Sequence, residues 1–498
     1  MSNALRAPAL VPLSVAPRGW PTEDWGGRFE GQAFDWPQGE ARVTTSVLRT
    51  AVGWWDARLS PRRNNGQVLG NLGYGGYNLD ARFGSTSAPD TNDPTDLPWN
   101  GQNYVFIGPS NSLSVPHSAG AQVADTMEWR LDLANVSYTL TAQASIVTKH
   151  QTSVAVGSSW RVIWQNASLR LIVSDNITQV TPAATVGVAA AASLTAGERV
   201  RLKVNYVRNT GSGNYSATFW WSKDFTSALA AVSDWTLIGS TVTGASIGAT
   251  NDSTASVRVG ESAAGGSQPQ EHNVYRVQHS LNGAAAYLDI NTATDATSAA
   301  ATSFTATSGQ TVTVNRASTG KKLAIVTRPV LLFGTDDYLE VPHNALIDFD
   351  RHESLTLCIA RRAFGTPTSQ ALVTKRATVG GAGGSAGWDI RTAGGSGYLA
   401  VNEWDNGTAL TGGNSPTGTA GTLHLYSAVM TPTSITGYLG TVLGSIDARS
   451  GSARNTLPFR VGATSVAGSL ADMEFLGAAI FRRALTTAEL AVVAAFYA

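Results

Sequence analysis

Residues 332–343 read LFGTDDYLEVPH, and the rest of the chain can be aligned around them. Gly334, Thr335, Asp336 and Asp337 have turn composition, while Tyr338, Leu339, Glu340 and Val341 alternate as a strand with one wet face does. Pro342 has no N–H to donate and ends the pairing. Residues 111–117, NSLSVPH, repeat this pattern: Val115-Pro116-His117 precedes Val341-Pro342-His343 by 226 residues. Val147-Thr148-Lys149 precedes Val373-Thr374-Lys375 by the same 226, so two separate matches share one register. Farther on the register slips as loop insertions would make it. Trp160 answers Trp388 and residues 171–173 (LIV) answer 399–401 (LAV) at an offset of 228, and Val259-Gly260 answers Val461-Gly462 at 202. The chain reads as two diverged copies of one β-domain.

Composition narrows the function classes. The 498 residues are 43% apolar and include 14 Trp, enough for sizeable cores. Charged residues are 14%, and 35 basic residues balance 35 acidic ones, which argues against a nucleic-acid partner. Cys358 stands alone within Leu355-Thr356-Leu357-Cys358-Ile359 and reads as a small core residue, with no disulfide framework or thiolate metal site around it. The N-terminus has no basic run before an apolar stretch, and Pro8, Pro12 and Pro17 interrupt it, so no signal peptide is expected. No apolar window reaches the roughly 18 residues that membrane insertion needs. Synthesis in a cytoplasm is expected, with delivery by something other than the usual secretion route.

Three segments are expected. Residues 1–46 form an arm with Trp20, Trp25, Phe29, Phe34 and Trp36 spaced along it. Leaving such side chains in water forgoes about 1.5–3 kcal/mol each, so the arm is expected to dock on another protein of an assembly. Residues 47–320 form the first β-domain and 321–498 the second. Trp54 and Trp55 are adjacent and on a strand point to opposite faces, so at most one is expected in the core; the same parity applies to Trp220 and Trp221. RVRLKVNYV (199–207) alternates strictly and puts Arg199, Arg201, Lys203 and Asn205 on a solvated face. At the far end Thr486-x-x-Glu489 has capping-box spacing between Leu485 and Leu490, which predicts a short terminal helix.

These residues carry a resemblance. FGTDDYLEVP (333–342), the strand with Trp388 and the closing run VGATSVAGSLADMEFLGAAIFRRALTTAEL (461–490) resemble the laminin-G-like branch of the concanavalin A-like jelly rolls. The first copy is more particular. NSLSVPHSAGAQV (111–123), VTKHQ (147–151), SLRLIVSD (168–175), residues 215–221, DWTLIGSTVTG (234–244), VRVGES (257–262), NVYRVQ (273–278) and TSFTATSGQTVTV (302–314) resemble, in order, minor tail proteins of long-tailed phages that infect actinobacteria. The resemblance implies an all-β chain: two tandem concanavalin A-like (laminin-G-like) β-jelly-roll sandwiches with an extended N-terminal arm and a short C-terminal helix. It also implies a virion component at the tail tip, present in multiple copies, contacting other phage tail proteins through the arm and a host envelope glycan through the sandwiches.

Jelly rolls of this class include glucanases, which place carboxylates at Glu-x-Asp-x-Glu spacing on one strand face. No such triplet occurs; Glu403-Trp404-Asp405 and Asp472-Met473-Glu474 are each one carboxylate short, so no enzyme is expected. His117 and His343 read as strand-end structure. No cofactor is expected, with calcium kept open because Asp336, Asp337, Asp348, Asp350, Asp405 and Asn406 could offer oxygens. Sugar binding needs an aromatic platform beside amides or carboxylates. Two clusters fit: Asn402, Glu403, Trp404, Asp405 and Asn406 in the second copy, and Trp160 and Trp164 on one strand face with Asp175 and Asn176 beyond the next strand in the first. The alternatives are a purely structural tail or capsid decoration protein without ligand and, less favoured, a glycan hydrolase.

Overall fold

The computed structural model describes residues 47–498 apart from 64–65, 85–92, 100, 119–122, 136–137, 139–142, 151–157, 176, 210–212, 261–270, 317–322, 335, 351, 365–369, 377–386, 393–398, 406–407, 411–413, 450–453 and 465–470, and of 158, 399–405 and 408–410 it describes the backbone alone. The expected docking arm, with Trp20, Trp25, Phe29, Phe34 and Trp36, lies outside the described residues.

Among the described residues, antiparallel pairing gathers the strands into two eight-stranded and two nine-stranded sheets, stacked as two jelly rolls. In the first, sheet C runs through Tyr104–Ile107, His272–Leu281, Thr126–Asn135, Arg199–Val207 and Asn214–Ser222. Sheet D faces it, running through Ser112–Val115, Val257–Gly260, Ala144–His150, Ser158–Gln165 and Ser168–Ser174. The second repeats both orders. Sheet A runs through Val330–Phe333, Met473–Phe481, Leu355–Ala363, Leu423–Met430 and Ser434–Leu439; sheet B runs through Leu339–Val341, Phe459–Val461, Ala371–Lys375, Gly387–Thr392 and Leu399–Asp405.

Register carries the duplication to single residues. Val259 pairs with Leu113 and Val147, and Val461 pairs with Leu339 and Val373. Trp160 pairs with Lys149 as Trp388 does with Lys375. One match shifts: Val162 faces Leu171 whereas Ile390 faces Val401, so the true equivalent of Leu171 is two residues beyond Leu399. Gly260 (φ +98°) and Gly462 (φ +90°) occupy one left-handed position in both copies. A Cβ on Gly260 would lie 2.7 Å from the Asn111 carbonyl oxygen, and one on Gly462 would lie 2.7 Å from the Phe333 ring.

The sheets do not divide where the sequence suggested. Gly53–Asp56 pairs with Met473–Phe481, Ala81–Phe83 with Leu339–Val341, and Thr95–Leu97 with Val330–Phe333, so residues 53–97 belong to the second jelly roll. Ala324–Val326 pairs with Tyr104–Ile107 and belongs to the first. The boundary between 320 and 321, and the start of the first domain at 47, are therefore corrected: the first jelly roll, 104–326, is inserted into the second. Each copy needs flanking strands to close its edges, and they come from opposite sides in sequence. In the first copy Ala286–Asn291, Thr311–Asn315 and Ala324–Val326 follow the strands they join; in the second the equivalent three precede them, in the same order. Pieces this short pair by proximity across the fold, which leaves no periodic signal to read.

Both faces of sheet A are covered. Trp55 stacks on Phe459 at 5.3 Å inside the sandwich, while Trp54 meets Phe496 of the C-terminal helix at 5.8 Å on the other side. The two indoles do take opposite faces, but the expectation that at most one is core is corrected: both are buried, because helix Thr487–Tyr497 packs Leu490, Val493 and Tyr497 onto the outer face. Thr486 caps that helix as its spacing predicted, with Glu489 accepting from the Thr486 N–H at 2.9 Å. The same outer cluster takes in Tyr104, Phe106 and Tyr275 from sheet C, joining the two jelly rolls through apolar contact.

Two outcomes test this architecture. Gly260→Ala and Gly462→Ala should each destabilise by about 2 kcal/mol or more, read as lowered denaturation midpoints, because strain at positive φ adds to a steric clash. A chain beginning at residue 104 should keep amide protection in sheets C and D and lose it in sheets A and B; equal protection throughout would contradict the insertion.

Candidate functional site

Of the two clusters expected from the sequence, the one in the first copy is not a sugar platform, and the side chains of the other lie outside the described residues. Trp160 and Trp164 do share a face with Val162, but it is the inner one: both are 1% exposed. Trp160 lies 5.1 Å from Trp129 and 4.8 Å from His279, and Trp164 meets Tyr138 edge-on at 5.7 Å. They are core, because their strand is central in sheet D and its inward parity falls on the large residues. Asp175 ties a turn together instead of facing a ligand. Its carboxylate accepts from the N–H groups of Ile177 (2.9 Å), Thr178 (2.7 Å) and Gly248 (2.9 Å), and these bonds pull its pKa down to about 2. Asn176 lies outside the described residues.

In the second copy the backbone of Leu399–Asp405 sets Glu403 opposite Trp388 and Trp404 opposite Gly387. The side chains of Asn402, Glu403, Trp404 and Asp405, and all of Asn406, lie outside the described residues. Three of the acidic residues that could offer oxygens to calcium have other work, and the side chain of Asp405 and all of Asn406 lie outside the described residues. Asp337 accepts from the Gly334 N–H at 2.7 Å, Asp348 pairs with Lys375 at 3.1 Å, and Asp350 lies 3.8 Å from Arg454. Among the described residues no group of three His, Cys, Asp or Glu gathers. Glu474 is buried and ion-paired to Arg362; burial pushes its pKa up while Arg362 and Arg316 oppose that.

The repeated Val-Thr-Lys has a structural use. Lys149 and Lys375 are fully buried at the ends of equivalent strands, and each ammonium ties down the loop before the next inner strand. Lys149 reaches Asp252 at 3.0 Å and the Ser253 carbonyl; Lys375 reaches Asp348 at 3.1 Å and the Asn455 carbonyl at 2.6 Å. His150, beside Lys149, is buried at 1% exposure, and burial together with Arg161 lowers its pKa to about 4. Its role is therefore that of a neutral core imidazole.

The arrangement best suited to a ligand is on the outward face of sheet C, where sequence reading saw a solvated face. One row across the strands runs Leu237, Trp220, Lys203, Arg130, Gln278. Trp220 points outward while Phe219 enters the core and Trp221 packs against its margin, as parity requires. Trp235, from the loop between Asn214–Ser222 and Thr236–Leu237, comes back over the same row. The Lys203 ammonium is 4.9 Å from the Trp220 ring centre and 4.8 Å from that of Trp235. Arg130 is held by Glu128 at 2.7 Å and donates to the Ala230 carbonyl at 3.0 Å. The Lys203 pKa is lowered, first by burial, with Glu128 raising it and Arg130 lowering it. In the neighbouring row Asn205 pairs with Thr218 and Glu128; Asn205 Oδ1 and Trp220 Nε1 make no hydrogen bond within the chain. All five side chains Lys203, Asn205, Thr218, Trp220 and Trp235 are half-buried. Two indoles, an ammonium, an amide and a hydroxyl on one sheet face can stack a sugar ring and bond its hydroxyls. Trp220 was flagged by parity and Lys203 by alternation; Trp235 has no periodic signal, and only loop closure brings it there.

No protein-family model matches the chain, and no curated protein matches it. Solved structures do. Mouse laminin alpha1 domains LG4-5 align at 11% identity over 80% of this chain and 94% of that one, with a TM-score of 0.29. The binding domain of Paraclostridial Mosquitocidal Protein 1 aligns at 13% identity over 34% of this chain and 43% of that one, with a TM-score of 0.26. The CBM40 of Ruminococcus gnavus IT-sialidase, bound to alpha2,3 sialyllactose, aligns at 13% identity over 28% of this chain and 83% of that one, with a TM-score of 0.23. At these TM-scores the likeness carries no argument, and the fold rests on the sheet orders and register above.

His150 makes a pH test of the first jelly roll. Its folded pKa lies below the ordinary value of 6.5, so its contribution is complete above about pH 6.5 and is lost as pH falls toward 4, at a cost of up to about 3 kcal/mol. Denaturation midpoints across that window should fall in the wild type and fall less in His150→Leu; parallel slopes would contradict the assignment.

Proposed function

We propose that this chain is a saccharide-binding protein of a phage virion, a minor tail protein carried at the tail tip in multiple copies. The observation that carries the binding reading is the outward Trp220–Lys203–Trp235 cluster with Asn205 and Thr218 beside it. The virion reading rests on the resemblance, stretch by stretch and in order, of the first copy to minor tail proteins. In it the arm, through Trp20, Trp25, Phe29, Phe34 and Trp36, docks on other tail proteins, and the jelly rolls face the host envelope. Virion assembly and host lysis deliver a product made in the host cytoplasm. Individual contacts are weak, about millimolar, and several copies on one particle multiply them into useful avidity.

The reading is of a binder without catalysis. Glu474, one of the carboxylates that a hydrolase would recruit, is buried against Arg362, far from the geometry of an acid–base pair open to substrate. A structural decoration role has one observation in its favour: the indole faces already hold Lys203. Screening the whole chain on a glycan array separates the two. Binding that disappears in Trp220→Ala and Trp235→Ala, with melting temperatures within a few degrees of wild type, supports the saccharide reading; no binding to any glycan favours decoration.

A further inference from the structure

The outward face of sheet C carries many charges, and nearly all are matched. Arg199 and Arg201 share Asp132 at 2.6 and 3.0 Å, Arg276 pairs with Asp289 at 2.7 Å, and Arg130 pairs with Glu128 at 2.7 Å. Just beyond the strand ends, Arg208 pairs with Asp125 at 2.7 Å and Lys223 with Glu198 at 2.5 Å. Among the described residues Lys203 is the cation of this face with no carboxylate within 4.0 Å and no hydrogen-bond partner; its surroundings are two aromatic rings. Glu128, one strand row away, is the nearest carboxylate in its surroundings and is turned to Arg130.

An ammonium in that position is half-desolvated without an anion. Ring quadrupoles offset part of the cost, but they leave its N–H donors without acceptors. Asn205 Oδ1 and Trp220 Nε1 also lack partners, but both atoms are buried beneath the face and do not present themselves to a ligand. A neutral sugar would stack and leave the excess positive charge. A sugar bearing an anion would stack and meet that charge as well.

We infer that the Trp220–Lys203–Trp235 face selects an anionic saccharide, whose ring lies against the indoles and whose carboxylate or phosphate oxygens accept from the Lys203 ammonium. This rests on the saccharide-binding reading above. Lys203 sets the preference for charge, and the indoles supply affinity common to charged and neutral sugars. The preference falls as salt rises, because screening weakens the ammonium–anion attraction and leaves stacking nearly unchanged.

The test uses the full chain in calorimetric titrations with a galacturonate oligomer, the same oligomer reduced at its carboxyls to the neutral galactose form, and that galactose oligomer phosphorylated at C6. Wild type should bind at least one anionic probe roughly tenfold more tightly than the neutral twin, about the size of one charge-assisted hydrogen bond. Lys203→Met should bring the charged and neutral probes level, with a melting temperature within a few degrees of wild type, and Lys203→Arg should restore the preference; the readout is the ratio of the two affinities within each variant. Galacturonate alone preferred identifies carboxylate as the anion, and the phosphorylated galactose oligomer alone preferred identifies phosphate. Equal wild-type affinity for charged and neutral probes, lost in Trp235→Ala, overturns the inference and leaves saccharide binding standing. No binding to any of the three, together with a blank glycan array, overturns both.

Discussion

The two jelly rolls are joined by a pair of chain crossings, and much of the architecture follows from the fact that those crossings are hydrogen-bonded neighbours on both sides. Leu97 pairs with Val330 at the edge of sheet A, and a few residues away Tyr104 pairs with Val326 at the edge of sheet C. A single linker would leave the sandwiches to swing. A paired ribbon resists that motion, and around it lie the apolar contacts of Tyr104, Phe106 and Tyr275 with the outer face of sheet A. Charge gathers there too. Glu474 pairs with Arg362 of its own sheet and feels Arg316 and Arg328 from the end of the insertion, and Arg328 donates to the Tyr497 carbonyl at 2.9 Å. Removing the glutamate would leave guanidinium groups buried without their anion, which costs more than the pair contributes.

Within each jelly roll the same small devices recur on diverged sequence. A buried lysine ties down a loop, with its carboxylate supplied by Asp252 in one copy and by Asp348 in the other. These two acids occupy different places along the chain, so the lysine was kept and the anion was found wherever the loops allowed. Gly260 and Gly462 do the same for backbone, taking one left-handed position against equivalent neighbours. Such features tolerate change around them because a buried ammonium without an acceptor, or a Cβ in that space, is strongly unfavourable.

The outward face of sheet C has a different economy. It is crossed by paired charges that leave it hydrated and unremarkable as a binding surface, except where Lys203 stands between Trp220 and Trp235. In the proposed site, affinity from ring stacking and selectivity from an unmatched charge thus sit in one row of a sheet whose other face is the core. The strands that hold this row are the long central ones, so the site is positioned by the most strongly paired part of the fold.

From the chain alone one could read the duplication, the all-β class, the inward set Val200, Leu202, Val204 and Tyr206, and the capped terminal helix, since each depends on local period or on spacing within a few residues. Assigning the flanking strands 53–97 to the second copy was beyond it, because edge pairing between short segments hundreds of residues apart leaves no trace in either segment. The same limit made Trp160 and Trp164 look like a platform: parity says that two side chains share a face, and only the stacked sheet says that the face is buried. It hid the Lys203 cluster as well, whose third member arrives on a loop. Periodicity is a property of one strand at a time; which face is covered, and what lies across from a charge, are properties of the packed whole.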